Sequence, residues 1–426
     1  MSSKKMKALL IVEQCNPDWA SVPLVGYRFY QGISKLVETT LVTHERNKAA
    51  FEKLPEHQDV IYISESDWIK KYYPWLERLT LRGKQNWQLA TILSYPVYAD
   101  FNNNVYQQLK DRILSKEFDI VHSMTPVMPR FPVKAIEACQ ETPFILGPVN
   151  GGIPFPSGFQ ETAKKEKANL SFFRSLGRAL IPGYVKTYKQ ANKILSGSTY
   201  TLENLKQTLP IRDEQIELFY ENGVTQEFLN HQEKIKDDSK VDLLFVGRLV
   251  PYKCADLVIE AICKLEPSIQ KKIRLTIVGD GQEKGNLEQR TQELNLGETV
   301  KFTGWVNQKD TVEYYRKADI FCFPSIREFG GAVVLEAMAC GLPCIVANYG
   351  GIAEYVTDET GFKIEPISRE YLTQELTEKI KLLVEDENLR QTMSAKSLER
   401  VQEFEWDRKA KKIVEIYEDV LSAQRL

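Results

Sequence analysis

The chain has 426 residues, with 56 Lys and Arg against 58 Asp and Glu. A net charge of −2 argues against a general nucleic-acid binder, which normally carries a basic excess. The length suits two domains of roughly 200 residues each, and no apolar run approaches the ~20 residues of a membrane-spanning helix.

Short apolar runs alternate with amphipathic stretches along the whole chain, the pattern of α/β architecture with parallel sheets. In the first half, strands are expected at Ala8–Val12, Thr40–Thr43, Val60–Ile63, Ile120–Ser123, Phe144–Gly147, Lys193–Ser196 and Ile216–Phe219. The polar run from His231 to Lys240 reads as a linker. Further strands follow at Val241–Gly247, Leu275–Gly279, Val300–Thr303, Ile320–Pro324 and Cys344–Ala347, with helices near Asp256–Leu265 and Asp310–Ala318. A last helix, about Asp407–Leu421, places Ile413, Ile416, Tyr417, Val420 and Leu421 on one stripe. The reading is therefore two Rossmann-like doubly wound domains facing a cleft. The first spans 1–230 and the second 231–404, with the helix 405–426 returning to the first. The seven cysteines form no CxxC pair, and they read as buried thiols in a reducing compartment. A cytoplasmic location without a signal peptide or a structural metal is expected.

Ligands of doubly wound sheets sit beyond the carboxyl ends of the strands, and three loops of the second half stand out there. In Gly247-Arg248-Leu249-Val250-Pro251-Tyr252-Lys253, two cations follow a strand, which suits a diphosphate. Two solvated charges around a turn are the plainer reading of that loop alone. Gly279-Asp280-Gly281 lets backbone approach a ligand, or is ordinary turn chemistry. The richest loop runs from Pro324 through Glu328-Phe329-Gly330-Gly331-Ala332 into an apolar helix that carries Glu336. The start of that helix offers unpaired N–H groups to an anion. Glu336 lies one turn beyond Ala332, stands alone among apolar neighbours and needs a partner, for which a pair of ribose hydroxyls is suited. Glu328 precedes the glycines and suits sugar hydroxyls or a positive charge developing at an anomeric carbon.

VGRLVPYK, IVGDGQE, FTGWV and PSIREFGGAVVLEAMACGLPCIVANYGGIAEYV, in this order, closely resemble family 4 of the retaining glycosyltransferases, which have the GT-B fold. The likeness is strong from Val241 to Val356. It extends to Tyr220-Glu221-Asn222-Gly223-Val224, with Glu where the family has Pro, and to the closing Phe404-Glu405-Trp406. The resemblance implies transfer of a hexose from a nucleotide-diphosphate sugar, UDP-hexose first and GDP-mannose next, to a hydroxyl acceptor with retained configuration. Arg248 and Lys253 would hold the diphosphate. Gly330, Gly331 and Ala332, flanked by Phe329 and Val333, would line the donor beside Gly247, Gly279 and Gly281. Glu328 would touch the transferred sugar and Glu336 the ribose. No Asp-x-Asp occurs, in keeping with a family that needs no divalent metal, and no cofactor is expected.

The resemblance extends more thinly to the first half. Gly26, in Pro23–Arg28, occupies the place of a glycine-rich loop near the donor phosphate, but without the usual adjacent pair. His122 matches a family histidine, whereas Met124 stands where many members have a second one; His122 reads equally as a hydrogen-bonded core residue. Asn150, Gly151 and Gly152 form a loop that lines an acceptor pocket or only turns the chain. Residues 164–193 alternate basic and apolar positions, as an ordinary surface helix does and as a helix lying on an anionic membrane does. A dinucleotide oxidoreductase would show Gly-x-Gly-x-x-Gly after the first strand, but Val12 is followed by Glu-Gln-Cys-Asn-Pro. An inactive nucleotide-sugar binder of the same fold is the other alternative.

Overall fold

The computed structural model describes residues 5–54, 59–80, 93–125, 131–166, 181–229 and 240–424. The chain forms two compact units. One comprises 1–152, 167–221 and 406–426; the other comprises 153–166 and 222–405. Most of the linker expected at 231–240 and the centre of the basic stretch 164–193 lie outside the described residues.

The first unit holds a seven-stranded parallel sheet: β1 (Lys7–Val12), β2 (Glu38–His44), β3 (Val60–Ile63), β4 (Ile120–Thr125), β5 (Phe144–Val149), β6 (Lys193–Ser196) and β7 (Ile216–Leu218). Their spatial order is β3-β2-β1-β4-β5-β6-β7. Leu9 pairs with Thr40 on one side and with Val121 on the other, so the order reverses at β1. β5 is buried throughout, as a strand covered on both faces must be. All seven expected strands form.

Trp406–Ala423, the final helix, buries Ala410, Ile413, Ile416 and Tyr417 in this unit. It lies against the helix Val22–Ser34, where a Cβ on Gly32 would come within 2.7 Å of the Ala410 side chain. Trp406 meets Phe29 edge-on at 5.0 Å between ring centroids. Lys409 is buried on the same helix. Its ammonium donates to the Tyr220 carbonyl and sits 4.3 Å from the centre of the Phe219 ring. Burial lowers its pKa to about 7, with Glu221 opposing the shift.

This lowering makes stability depend on pH. Between about 7 and the ordinary lysine value of 10.5, the unfolded chain binds the proton and the folded one does not. Stability from this group therefore rises with pH across that window, by up to about 1.4 kcal/mol per pH unit. Urea unfolding of the wild type and Lys409→Met at several pH values measures it. The stability of the wild type minus that of the variant is expected to grow from pH 7 toward pH 10. A difference independent of pH would refute the assignment.

The second unit holds a six-stranded parallel sheet: β8 (Val241–Val246), β9 (Ile273–Val278), β10 (Val300–Gly304), β11 (Ile320–Phe323), β12 (Cys344–Ala347) and β13 (Gly361–Ile364). Their order is β10-β9-β8-β11-β12-β13, with the reversal at β8. β13 was not foreseen. It is a short edge strand buried at its two ends, with Phe362 half-buried and Lys363 exposed between them, so it shows no apolar run. Both units are thus Rossmann-like. The seven cysteines are free. Among the described residues no helix is long and apolar enough to cross a membrane.

Candidate functional site

The order reverses between β8 and β11, so the loops that leave these two neighbours flank the switch point of the second sheet. The β8 loop brings Lys253 there on a single turn, Pro251–Lys253. The β11 loop brings Ser325, Arg327 and Glu328. Lys253 is buried and ion-paired with the Glu328 carboxylate, which also accepts from the Ser325 hydroxyl at 3.2 Å. The Lys253 ammonium stands 4.7 Å from the centre of the Phe323 ring. The two loops are joined through backbone as well, Ile326 N–H donating to the Tyr252 carbonyl at 3.0 Å. Arg248 is exposed on the same β8 loop, and its guanidinium donates to the Tyr252 hydroxyl at 3.0 Å.

Beyond Glu328 the chain turns through Gly331, at φ 67°, into the helix Ala332–Ala339. A Cβ on Gly331 would lie 2.8 Å from Glu328 Cγ and would also run into Ile352. Glycine is therefore required by conformation and by space. Gly350, at φ 71°, has the same double constraint, since a Cβ there would strike the Glu328 carbonyl. The Gly351 N–H donates to that carbonyl at 3.0 Å. Phe329, Gly330, Gly331, Ala332 and Val333 thus form the tight approach to a helix whose first N–H groups lack intrahelical acceptors.

Gly247, Gly279 and Gly281 are placed differently. Gly247 N–H donates to Val278 and Gly279 N–H to Gly304, each at 3.0 Å, while Gly281 N–H is taken by the Asp280 carboxylate at 2.7 Å. A Cβ on Gly279 or Gly281 would run into the Gly247 or Leu249 carbonyl. The structure gives these three glycines a packing task, holding the β9 loop close behind the β8 loop.

Glu336 is buried in its apolar helix, as its neighbours imply. Its carboxylate accepts from the Tyr315 hydroxyl at 2.9 Å and from the Gln308 amide at 3.0 Å. Burial raises its pKa, and these two hydrogen bonds oppose the shift. Tyr315 is itself pushed well above the ordinary tyrosine value by burial and by the Glu336 charge. Gln308 and Tyr315 are seven residues apart on one helix, Gln308–Lys317, and share its face toward Glu336.

Three further residues escaped the sequence reading. Arg327 donates to the Ile153 carbonyl at 3.3 Å, and its guanidinium lies 4.9 Å from the centre of the Phe155 ring. Burial lowers its pKa. Glu166 is raised by burial and lowered by the Arg327 and Arg248 charges. The Tyr349 hydroxyl donates to Pro154 at 3.2 Å. The segment 153–166 thus lies against the loops that carry Arg248, Arg327 and Tyr349. Its only signal in the sequence was the Arg directly before Glu328.

In the first unit the expected site residues fall in less open places. His122 is fully buried on β4. Its Nε2 contacts the Gly147 carbonyl and its Nδ1 the Tyr417 hydroxyl, each at 2.7 Å. A carbonyl only accepts, so Nε2–H donates to it and Nδ1 accepts from the hydroxyl. Burial lowers the imidazole pKa to about 4. Both nitrogens of a neutral ring are committed to the fold, which replaces the catalytic role expected for His122 by a structural one. Met124 is likewise packed in the core.

Gly26 lies inside the helix Val22–Ser34 and is buried, not in a loop. Pro23 starts that helix early, and the i→i−4 pattern engages the Gly26 N–H. The donor role expected for Gly26 is corrected on that ground. Asn150 is buried, its carbonyl oxygen accepting from Ser198 at 2.8 Å and from Thr201 at 2.9 Å. Gly151 N–H donates to Thr201 at 3.1 Å, while Gly152 is exposed. Of this acceptor-loop group, Gly152 alone faces solvent.

No group of three or more His, Cys, Asp or Glu side chains suited to a metal occurs among the described residues.

The fold of both units defines a class, that of doubly wound Rossmann-like domains with loops gathered at the switch point of the sheet. Residues 226–400, all in the second unit, match the family described as glycosyl transferases group 1. A D-inositol 3-phosphate glycosyltransferase of Kineococcus radiotolerans is 29% identical over 188 residues, 41% of this chain and 43% of that protein. The chain thus spans less than half the length of that curated relative. Among solved structures, the Anabaena protein HepE in complex with UDP superposes with a TM-score of 0.66 at 18% identity, covering 97% of this chain and 100% of that one. Sucrose-phosphate synthase from Thermosynechococcus elongatus superposes with a TM-score of 0.67 at 18% identity, covering 98% and 100%. These two likenesses extend the shared fold over nearly the whole chain.

Proposed function

We propose that the protein is a retaining glycosyltransferase that moves a hexose from a nucleotide-diphosphate sugar to a hydroxyl acceptor without a divalent metal. The observation that carries this reading is the Lys253–Glu328 pair beside the start of the helix that bears Glu336. Lys253 and Arg248 supply the positive charge on which a departing diphosphate depends, and the helix start adds N–H donors. Glu328 suits the sugar hydroxyls or the charge that develops at the anomeric carbon. Glu336 suits the ribose diol, since each of its oxygens retains acceptor capacity beside Tyr315 and Gln308. In the transfer, the bond from the anomeric carbon to the diphosphate oxygen breaks. A bond to the acceptor oxygen forms on the same face, and the acceptor proton passes to the leaving phosphate.

UDP-hexose is the favoured donor and GDP-mannose the next. HepE, solved with UDP, supports a uridine donor. The test is a thermal-shift and hydrolysis screen of nucleotide sugars. UDP-hexoses are expected to raise the melting temperature most and to release UDP. A screen in which no nucleotide sugar stabilises the protein would overturn the proposal.

A further inference from the structure

Besides Glu328, a second carboxylate is set against the cations of the switch-point loops, and it comes from outside both loops. Glu166 ends the segment 153–166, which belongs to the second unit although residues 152 and 167 belong to the first. The segment is fastened along its length. The Ile153 carbonyl accepts from Arg327 at 3.3 Å, and the Phe155 ring centre lies 4.9 Å from the Arg327 guanidinium. The Pro154 carbonyl accepts from the Tyr349 hydroxyl at 3.2 Å. A Cβ on Gly158 would run into the Ile367 carbonyl, so the two backbones meet closely there. Phe159 is buried. The short helix Gln160–Lys165 buries Thr162 and Ala163 and lies against the turn Pro251–Lys253. These contacts bring Glu166 to the cations of the site.

Glu166 is half-buried. Burial raises its pKa, the Arg327 and then the Arg248 charge lower it, and the Glu283 charge raises it. Arg327 feels Glu166 in return, together with Tyr252 and Tyr349. Arg248 donates to the same Tyr252 at 3.0 Å. The two guanidiniums therefore have Tyr252 and Glu166 as common neighbours. A diphosphate reaching them brings about two negative charges, which a carboxylate held in that place repels. The fastenings of the segment use backbone carbonyls and apolar groups, so the Glu166 side chain can turn away without releasing it. We propose that Glu166 is a counter-anion that holds Arg248 and Arg327 before the donor binds and gives way to the donor diphosphate. The inference rests on the transferase reading for the identity of the arriving anion. Run in reverse, the same exchange helps the nucleoside diphosphate product to leave, because the carboxylate returns to the guanidiniums as the phosphates depart. Glu166 thus weakens donor binding and eases product release.

The test is isothermal titration of the full chain with UDP and with GDP, for the wild type, Glu166→Gln and Glu166→Ala. Gln keeps the shape and removes the charge, and Ala removes the side chain as well. The position is half-buried at a helix end, so both variants should keep the wild-type circular dichroism. A guanidinium bonds a charged acceptor more strongly than a neutral one, so releasing it from Glu166 costs the incoming phosphate less in either variant. The Kd of the nucleotide that binds the wild type should fall by about fivefold or more in each. Added salt should narrow the gap between wild type and variants. Binding that is unchanged or weaker in both variants would overturn the proposal and leave Glu166 a structural or positioning residue. A wild type that binds neither UDP nor GDP would overturn the transferase reading, and this inference with it.

Discussion

Lys253→Ala is expected to lower donor turnover by about 10²–10³-fold while the chain stays folded. Two consequences act in the same direction. The change removes the buried cation beside the helix start, and it leaves the Glu328 carboxylate without its ion pair where a diphosphate has to sit. Glu328 keeps the Ser325 hydroxyl at 3.2 Å, so it is not left without hydrogen bonds. Breaking a fully buried pair costs about 3–5 kcal/mol. Here the side chains are 10% and 16% exposed, and Ser325 remains. A loss nearer 1–3 kcal/mol is therefore expected.

The double variant Lys253→Ala/Glu328→Gln separates the effect on stability from the effect on turnover. It should regain stability, since no uncompensated charge remains, yet recover no turnover. Arg248→Ala should be milder, because that guanidinium is exposed and screened. Rates of nucleotide release and urea midpoints on the same preparations decide the matter. Turnover within a few-fold of wild type in Lys253→Ala would remove this pair from the chemistry.

The parallel strands were legible because strands covered on both faces must be continuous apolar runs. β13 escaped because an edge strand with an exposed Lys363 need not be one. The need of Glu336 for a partner was legible from six apolar neighbours. The partner itself was not, because Tyr315 and Gln308 come from a helix 21 and 28 residues earlier. His122 shows the opposite failure. A local motif pointed to a site, but its environment is set by Tyr417, 295 residues further on. No local pattern could report that contact. Gly26 was legible after all, since Pro23 marks a helix start and the glycine lies three residues past it. The glycine-loop expectation overrode that local signal. Arg327 and Glu166 were hidden because the segment 153–166 belongs to the second unit although the strands before it belong to the first.

Glu336 offers the clearest separation of binding from folding. Glu336→Ala removes the acceptor for the buried Tyr315 hydroxyl and opens a cavity in an apolar helix. A loss of about 2–4 kcal/mol is expected. For a unit of this size that lowers the melting temperature by roughly 4–16 °C. Glu336→Gln keeps the shape and an oxygen for Tyr315. Gln308 can turn its own carbonyl toward the new amide, so stability should change by less than about 1 kcal/mol. Both variants lose the charged acceptor proposed for the ribose diol. Hydrogen bonds to a charged group contribute about 1.5–3 kcal/mol, so donor KM should rise at least about tenfold in each. The rate at saturating donor should fall far less, because the ribose is remote from the breaking bond. A Glu336→Gln variant with wild-type donor KM and a lowered melting temperature would make Glu336 a purely structural anchor for Tyr315. The opposite pair of results, an intact melting temperature and a raised KM, would identify a carboxylate held by the fold and directed at the ligand.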